Sequence, residues 1–387
     1  MRATPPEAPA LPGASTAGRW RDAAERWRDR LLASPAFRRW AAAFPLTRPI
    51  ARRRAGALFD LVAGFVYSQV LLAGVRLNLF DLLAQGPLTE ADLATRLRLP
   101  PEGAARLLGA SVALRLLARR SGGRIGLGPL GAALVDNAAI TEMVLHHGML
   151  YADLADPVAL LRGERPGGAL AQYWPYAGTD YPACLTADQV TPYTRLMAAS
   201  QPLVADEILD AYDLRRHRHL LDIGGGDGSF LCAAAARAPT LQATLFDLPA
   251  VAARGEARFA AAGLGGRARA VGGDFRRDPL PRAADIASLV RVIHDHDDAT
   301  VAGILRAART ALPVGGTLLL AEPMAGTSGA EAMGDAYFGL YLLAMGRGRA
   351  RTPAVLTGFL HTAGFARVRP VPTHTPLLTG LLVATVD

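Results

Sequence analysis

Leu220-Leu221-Asp222-Ile223-Gly224-Gly225-Gly226-Asp227-Gly228-Ser229 is the stretch from which the fold can be read. Residues suited to a buried strand run into a glycine-rich turn, and Ser229 opens an Ala-rich helix. Such a turn lets backbone approach a ligand closely, because a Cβ would fill the ligand's volume or forbid a positive φ. C-terminal to it, apolar runs at 243–247, 269–273, 286–293 and 317–322 alternate with helical segments at about 229–237, 250–262, 297–312 and 331–346. Strands alternating with helices specify an α/β, doubly wound parallel sheet covered on both faces. The last two runs, 368–371 and 381–386, are joined by too few residues for a crossover helix. They are expected as an antiparallel hairpin at one edge of a seven-stranded, Rossmann-like sheet.

N-terminal to the sheet the pattern changes. Residues 136–215 read as a helical linker, with an aromatic, loop-rich interruption at 163–182. Residues 56–135 read as helices followed by a Gly-turned hairpin, the outline of a winged helix. Thr89 to Asp92 is a capping-box start there, and Pro100-Pro101-Glu102 opens a longer helix. The charge of this module is near balance and its surface rich in Ala and Leu, which suits dimerisation better than gripping phosphates. Residues 56–75 are apolar for the length of a spanning helix, but Asp60, Ser68 and Gln69 interrupt them. A buried helix at a dimer interface is the expectation.

Residues 1–55 form a separate arm, Pro-rich and loose over 1–13. The chain's 387 residues carry 42 cations, all Arg, against 34 acids. Twelve of those Arg and four of the acids lie in the arm, so its excess accounts for the whole net charge of +8. Trp20, Ala24, Trp27 and Leu31 recur at helical spacing, flanked by Arg19, Arg21, Arg26, Arg28 and Arg30. After Pro35, the residues Phe37, Trp40 and Phe44 repeat the pattern. A basic amphipathic helix with aromatic anchors suits a membrane interface or a partner subunit. With 51% apolar and 20% charged residues the chain can bury a sizeable core, which excludes wholesale disorder. Cys184 and Cys232 cannot build a disulfide framework, and no secretory leader pattern is seen. A cytoplasmic, reducing setting is expected, peripheral to a membrane if the arm docks there.

Three strand ends in series carry residues suited to a nucleoside. Asp247 ends the second strand, where a carboxylate can accept both ribose hydroxyls. Gly273-Asp274-Phe275 ends the third, placed to bond an adenine amino group and pack the base. The turn reads G-x-G-x-G, not the dinucleotide G-x-G-x-x-G, and without Lys there can be no G-x-x-x-x-G-K loop. A nucleoside ligand without phosphates, such as S-adenosylmethionine, is favoured over NAD. The fourth strand runs into His294, beside the first strand at the switch point, and imidazole is the usual general base near neutral pH. Glu322 ends the fifth strand and could orient the ring through Nδ1. His294-x-His296 followed by acids also resembles half a metal site, but residues two apart at a helix start point apart. At least one of Asp295, Asp297 and Asp298 is expected to cap the following helix. His146-His147 and His217/His219 read as structural or exposed.

Taken together, Asp222 to Gly228, Phe246-Asp247-Leu248-Pro249, Gly273-Asp274-Phe275, Arg291 to Asp295 and Ala321-Glu322-Pro323 resemble the small-molecule O-methyltransferases that carry a winged-helix dimerisation domain. The resemblance covers about residues 56–387. Ser34-Pro35 and the stretch Phe44 to Pro49 resemble the bacterial carotenoid branch of that family. It implies S-adenosylmethionine as donor in a methyltransferase domain at 216–387, a homodimer through 56–135, a carotenoid acceptor and no nucleic acid. It further implies His294 as base oriented by Glu322, with Asp222, Gly224, Gly226, Asp247, Gly273, Asp274, Phe275 and Arg291 at the donor. Tyr193 and Met197 fall on the family's substrate-lining helix. Arg349-Ala350-Arg351-Thr352 stands where plant members have K-E-R-T, so a second acid is absent, and His296 replaces a common Trp. A dehydrogenase, a metal-dependent hydrolase and a nucleoside-sensing DNA-binding regulator are the competing readings.

Overall fold

In a computed structural model of the chain, residues 16–164, 167–174, 176 and 181–387 are described. The loose terminus expected at 1–13 and part of the aromatic loop lie outside them. The chain divides into two compact units, the first ending at Ala73 and the second running from Gly74 to Asp387.

The first unit is helical: α1 (Thr16–Ala33), α2 (Pro35–Ala43) and most of α3 (Arg48–Arg76). Ser34 separates the first two, its Oγ accepting from Phe37 N–H at 3.4 Å while Pro35 takes the first helical position, where a missing N–H costs nothing. Trp20 and Trp27 are 77% and 67% exposed. Leu58, Phe59, Leu61, Val62 and Phe65 on α3, the helix expected at a dimer interface, are 62–82% exposed in this single chain. Among the described residues that face is left exposed, and α3 is long and apolar enough to cross a membrane by length and composition.

The second unit opens with α4 (Leu79–Ala84), β1 (Leu88–Thr89), α5 (Glu90–Arg96), α6 (Pro101–Ala113), β2 (Leu117–Arg119) and β3 (Arg124–Leu127). The three strands pair antiparallel in the order β1-β3-β2, which completes the winged-helix outline. Thr89 caps α5 as the capping box predicts, accepting from Asp92 N–H at 3.2 Å. Helices α7 (Pro129–Ala132), α8 (Ala138–Asp153), α9 (Pro157–Leu161), α10 (Ala169–Tyr173) and α11 (Ala187–Ala211) follow.

The remaining strands are β4 (His219–Ile223), β5 (Gln242–Asp247), β6 (Ala268–Gly272), β7 (Ile286–Val290), β8 (Thr317–Glu322), β9 (Arg367–Val371) and β10 (Gly380–Thr385). They form one sheet in the order β6-β5-β4-β7-β8-β10-β9, with β4 to β8 parallel and β10 antiparallel to both its neighbours. The edge hairpin is therefore present, with its second strand next to β8. Helices α12 (Ser229–Arg237), α13 (Pro249–Ala261), α14 (Asp298–Ala311), α15 (Phe338–Met345) and α16 (Pro353–Thr362) complete the fold. Ile304, Leu305 and Leu360 pack with Leu318 and Leu320 in one core layer. Ile208, Phe230, Leu231 and Phe259 pack with Leu220 and Leu319 in the other. The inner strands β4, β7, β8 and β10 are buried along nearly their whole length, which is why these runs read as continuous apolar blocks, whereas β9 at the edge is largely exposed. The end of β7 differs from the sequence reading: it stops at Val290, not at 293. Arg291 takes φ +55°, which breaks the ladder and turns the chain into a short 3₁₀ turn over Ile293–Asp295.

Candidate active site

The order of the strands places β4 beside β7 at the switch point, so both carboxyl ends open on one crevice. The cleft there has an open volume of about 1230 Å³ and is lined by the glycine turn, the end of β5, the Asp274-Phe275 corner and α11. Gly226 has φ +63° and open space where a Cβ would stand, so the turn presents bare backbone to the cleft. Gly224 (φ +69°) is tighter: a Cβ there would come within 3.0 Å of Val292.

The predicted donor-side residues divide by position. Asp247 lines the cleft and accepts from Gly226 N–H (2.8 Å) and Leu248 N–H (2.7 Å). Burial still pushes its carboxyl up to about 6. Asp274 and Phe275 also line the cleft, and Arg276 holds Asp274 by two side-chain contacts near 3.0–3.1 Å. Asp222 lies beneath the turn, wholly buried, with Ser288 Oγ donating to Oδ1 at 2.6 Å and Oδ2 without a partner. Burial raises it to about 7. A Cβ on Gly225 would stand 2.2 Å from that Oδ2, so Asp222 supports the turn from below. Gly273 packs on Phe246, where a Cβ would meet the ring at 2.5 Å.

Arg291 lines the cleft but directs its guanidinium to α11, donating to Ser200 Oγ (2.6 Å), Met197 O (3.0 Å) and Gln201 Oε1. Its Nε has no partner. Tyr193 and Met197 both line the cleft, Tyr193 beneath Trp174 with ring centroids 4.0 Å apart.

His294 is 7% exposed. Its Nδ1 lies 2.5 Å from Glu322 Oε2, and the other carboxylate oxygen accepts from Val292 N–H (2.9 Å) and Ile293 N–H (2.8 Å). One carboxylate at the end of β8 thus holds both the ring and the backbone that carries it. Nε2 sits 3.0 Å from Asp295 Oδ1, and Asp295 lines the cleft. Burial alone would lower the imidazole's pKa, but Asp295, Glu322 and the Glu322 hydrogen bond outweigh it and raise it above 6.5. Burial in turn pushes Asp295 up to about 6.

The acids after His294 have separate tasks. Asp297 caps α14, accepting from Thr300 N–H at 2.8 Å, and Asp298 pairs with Arg349 and Arg351. His296 packs edge-on against Phe275 while His294 packs against Phe338, and no metal-binding group of three appears among the described residues. His146 and His147 bond Tyr341 and Tyr337, each at 2.7 Å, in an aromatic wall that includes Trp174 and Tyr193. Partners about 190 residues apart leave no local signal in the sequence. Asp295 beside the ring was legible only as a helix cap.

Residues 151–366 match the family model described as the O-methyltransferase domain, and 59–137 match that of the O-methyltransferase dimerisation domain. A relative from Cereibacter sphaeroides, demethylspheroidene O-methyltransferase, is 44% identical over 92% of this chain and 93% of its own length. The Rhodobacter capsulatus protein of the same name is 41% identical over 88% of this chain and 84% of its own. Among solved structures, human N-acetylserotonin methyltransferase in complex with SAM superposes with TM-score 0.71 at 26% identity, covering 86% of this chain and 98% of that one.

Proposed function

The chain belongs to the S-adenosylmethionine-dependent O-methyltransferases that carry a dimerisation domain, and from that premise we propose that it methylates the hydroxyl of a hydroxylated carotenoid with His294 as general base. The 44%-identical relative named for demethylspheroidene supports the acceptor class. The observation that carries the chemistry is the His294–Glu322 pair, Nδ1 to Oε2 at 2.5 Å, next in the chain to Val292, Asp295 and His296, which line the cleft with the glycine turn.

The residues present fit the donor. Gly226 leaves open backbone, Asp247 has carboxylate lone pairs beyond its two backbone contacts, and Arg291 Nε is unpartnered beside the cleft. When bound, S-adenosylmethionine supplies an electrophilic methyl group on a positively charged sulfur. Asp247 would hold the ribose hydroxyls, and Asp274 with Phe275 the adenine. Tyr193, Met197 and Trp174 give the acceptor an apolar wall and keep water from it. Glu322 fixes Nδ1 as the protonated ring nitrogen, so Nε2, which lies 3.0 Å from Asp295 Oδ1, is the atom to take the hydroxyl proton once an acceptor hydroxyl replaces that contact. An aliphatic alcohol is barely acidic, so proton removal should accompany attack. Incubating the protein with S-adenosylmethionine and a panel of hydroxylated carotenoids should add one methyl mass per modified hydroxyl. His294→Ala should cut turnover by about 10²–10⁴ and leave donor affinity, read by calorimetry, within about twofold. No product from any carotenoid, with product from a phenol, would move the assignment to another apolar acceptor.

We further propose that the arm docks on an anionic membrane, which places the protein in the cytoplasm at a membrane surface. A long apolar acceptor resides in lipid. Trp20 and Trp27 stand exposed on one face of α1 among Arg residues, and Trp40 stacks on Phe44 at 5.1 Å. The alignment with the C. sphaeroides relative spans 356 residues, too many to omit the first 55 altogether, so the arm is partly shared with it. Full-length protein should pellet with vesicles containing anionic lipid. A Trp20→Ala/Trp27→Ala/Trp40→Ala variant should bind at least about tenfold more weakly. Equal pelleting would assign the arm to a partner subunit.

A further inference from the structure

The sequence assigns nothing to Arg349-Ala350-Arg351 beyond a missing acid, yet this segment lies directly behind the base. Arg351 is 4% exposed. Its Nη1 donates to Ile293 O at 3.0 Å, its Nη2 to His296 O at 2.7 Å, and its Nε and Nη2 to Asp298 Oδ1 at 3.0 and 2.8 Å. Arg349 N–H donates to His294 O at 2.8 Å. Gly348 makes the approach possible, since a Cβ there would stand 2.3 Å from that same oxygen.

The need for such a contact follows from the local backbone. The 3₁₀ turn Ile293–Asp295 is too short to satisfy its own carbonyls. The intra-turn bonds it does make are long, Asp295 N–H to Val292 O at 3.4 Å and His296 N–H to Ile293 O at 3.3 Å. Burying a guanidinium is costly unless every donor has work to do. Here the charge meets one half-exposed carboxylate, and its other strong contacts are neutral carbonyls of the turn. The turn is thereby held from two sides: Glu322 binds its amides and the ring, and Arg351 with Arg349 N–H binds the carbonyls of 293, 294 and 296.

We propose that Arg351 is a positioning residue: together with the backbone at Gly348-Arg349 it clasps the carbonyl side of the turn and keeps the His294 ring seated on Glu322. The inference rests on the reading of His294 as base for its effect on turnover, but its seating can be tested without an acceptor.

The variant Arg351→Lys keeps a charge for Asp298 but cannot reach both carbonyls at once. The protonation of His294 is then followed by NMR in histidine-labelled full-length protein, the signal assigned by its loss in His294→Gln. The groups that set this titration are Glu322, Asp295 and Arg291, with His296 nearby. In R351K the ring should loosen from Glu322, and its midpoint should fall toward the ordinary imidazole value. Turnover should fall by about 10- to 100-fold while donor KM stays within about twofold. The comparison variant Asp298→Asn removes the ion pair and leaves both carbonyl contacts. It should lower the melting temperature without moving the His294 midpoint. The proposal is overturned if R351K lowers melting temperature alone, or if D298N moves the midpoint as far as R351K does. A shifted midpoint in R351K with no methylation by the unmodified protein would sink the functional reading and leave the clasp standing.

Discussion

At the scale of single residues, the chemistry concentrates in Glu322, whose two oxygens do different work. Oε1 accepts two backbone amides and Oε2 faces His294 Nδ1. In Glu322→Gln the amide oxygen can keep the backbone contacts, but the NH₂ then faces Nδ1. The ring must answer as an acceptor there, so its proton moves to Nε2 and the base is lost. Turnover should drop by about 10²–10⁴ while the fold survives, read as unchanged circular dichroism beside single-turnover methyl transfer. The sign with pH follows from the carboxylates around the ring. His294 works deprotonated and its pKa is raised, so the unmodified rate should climb with pH through a value above 6.5. Without the Glu322 charge, burial and Arg291 pull the residual acid limb of E322Q to lower pH. A limb that stays in place would mean another group sets it. His294 and Glu322 are legible in the sequence because strand alternation makes β7 and β8 neighbours. Arg351, His146 and Tyr341 are not, since they reach their partners through loops and helices whose placement no periodicity encodes.

At the scale of elements, β7 and α11 are joined by one side chain. Arg291 leaves the strand with φ +55° and ties Ser200, the Met197 carbonyl and Gln201 of the cleft-lining helix. A non-glycine residue in that region costs roughly 1 kcal/mol or more, which its contacts to α11 must offset. The sequence hides this strand end: 286–293 is apolar but for Ser288 and Arg291, and nothing in that pattern reports a left-handed residue. The starts of α13 and α14 are legible, because Pro249 and the Asp297 cap are local signals, whereas α16, which opens at Thr352-Pro353, is absent from the sequence reading. In Arg291→Lys the single ammonium cannot serve all three acceptors. Amides around 197–201 should then exchange hydrogen at least about tenfold faster, and acceptor KM should rise more than turnover falls. Unchanged exchange there would show that α11 is held by packing alone.

At the scale of the whole molecule, the apolar strip on α3 must be accounted for. Leu58, Leu61 and Phe65 with Phe59, Val62 and Val66 follow helical spacing and are 45–82% exposed in one chain. Burying each side chain is worth about 1.5–3 kcal/mol, so a strip of this size is not left in water without cost. Composition could show only that the stretch was apolar; whether lipid or protein covers it is a property of the assembly. The strip, which begins at Leu58, starts one residue before the dimerisation-domain match at 59–137, which favours a second copy of the chain. The arm before it carries the Trp and Arg residues suited to lipid. A carboxylate placed at the centre of such an interface would be buried in both copies without a partner. Val62→Asp should therefore shift the mass read by light scattering from twice 40.7 kDa to a single chain. Vesicle binding through the arm should persist, weakened only by the loss of two-armed attachment. A variant that stays dimeric and instead loses vesicle binding would make the strip part of the lipid-facing surface.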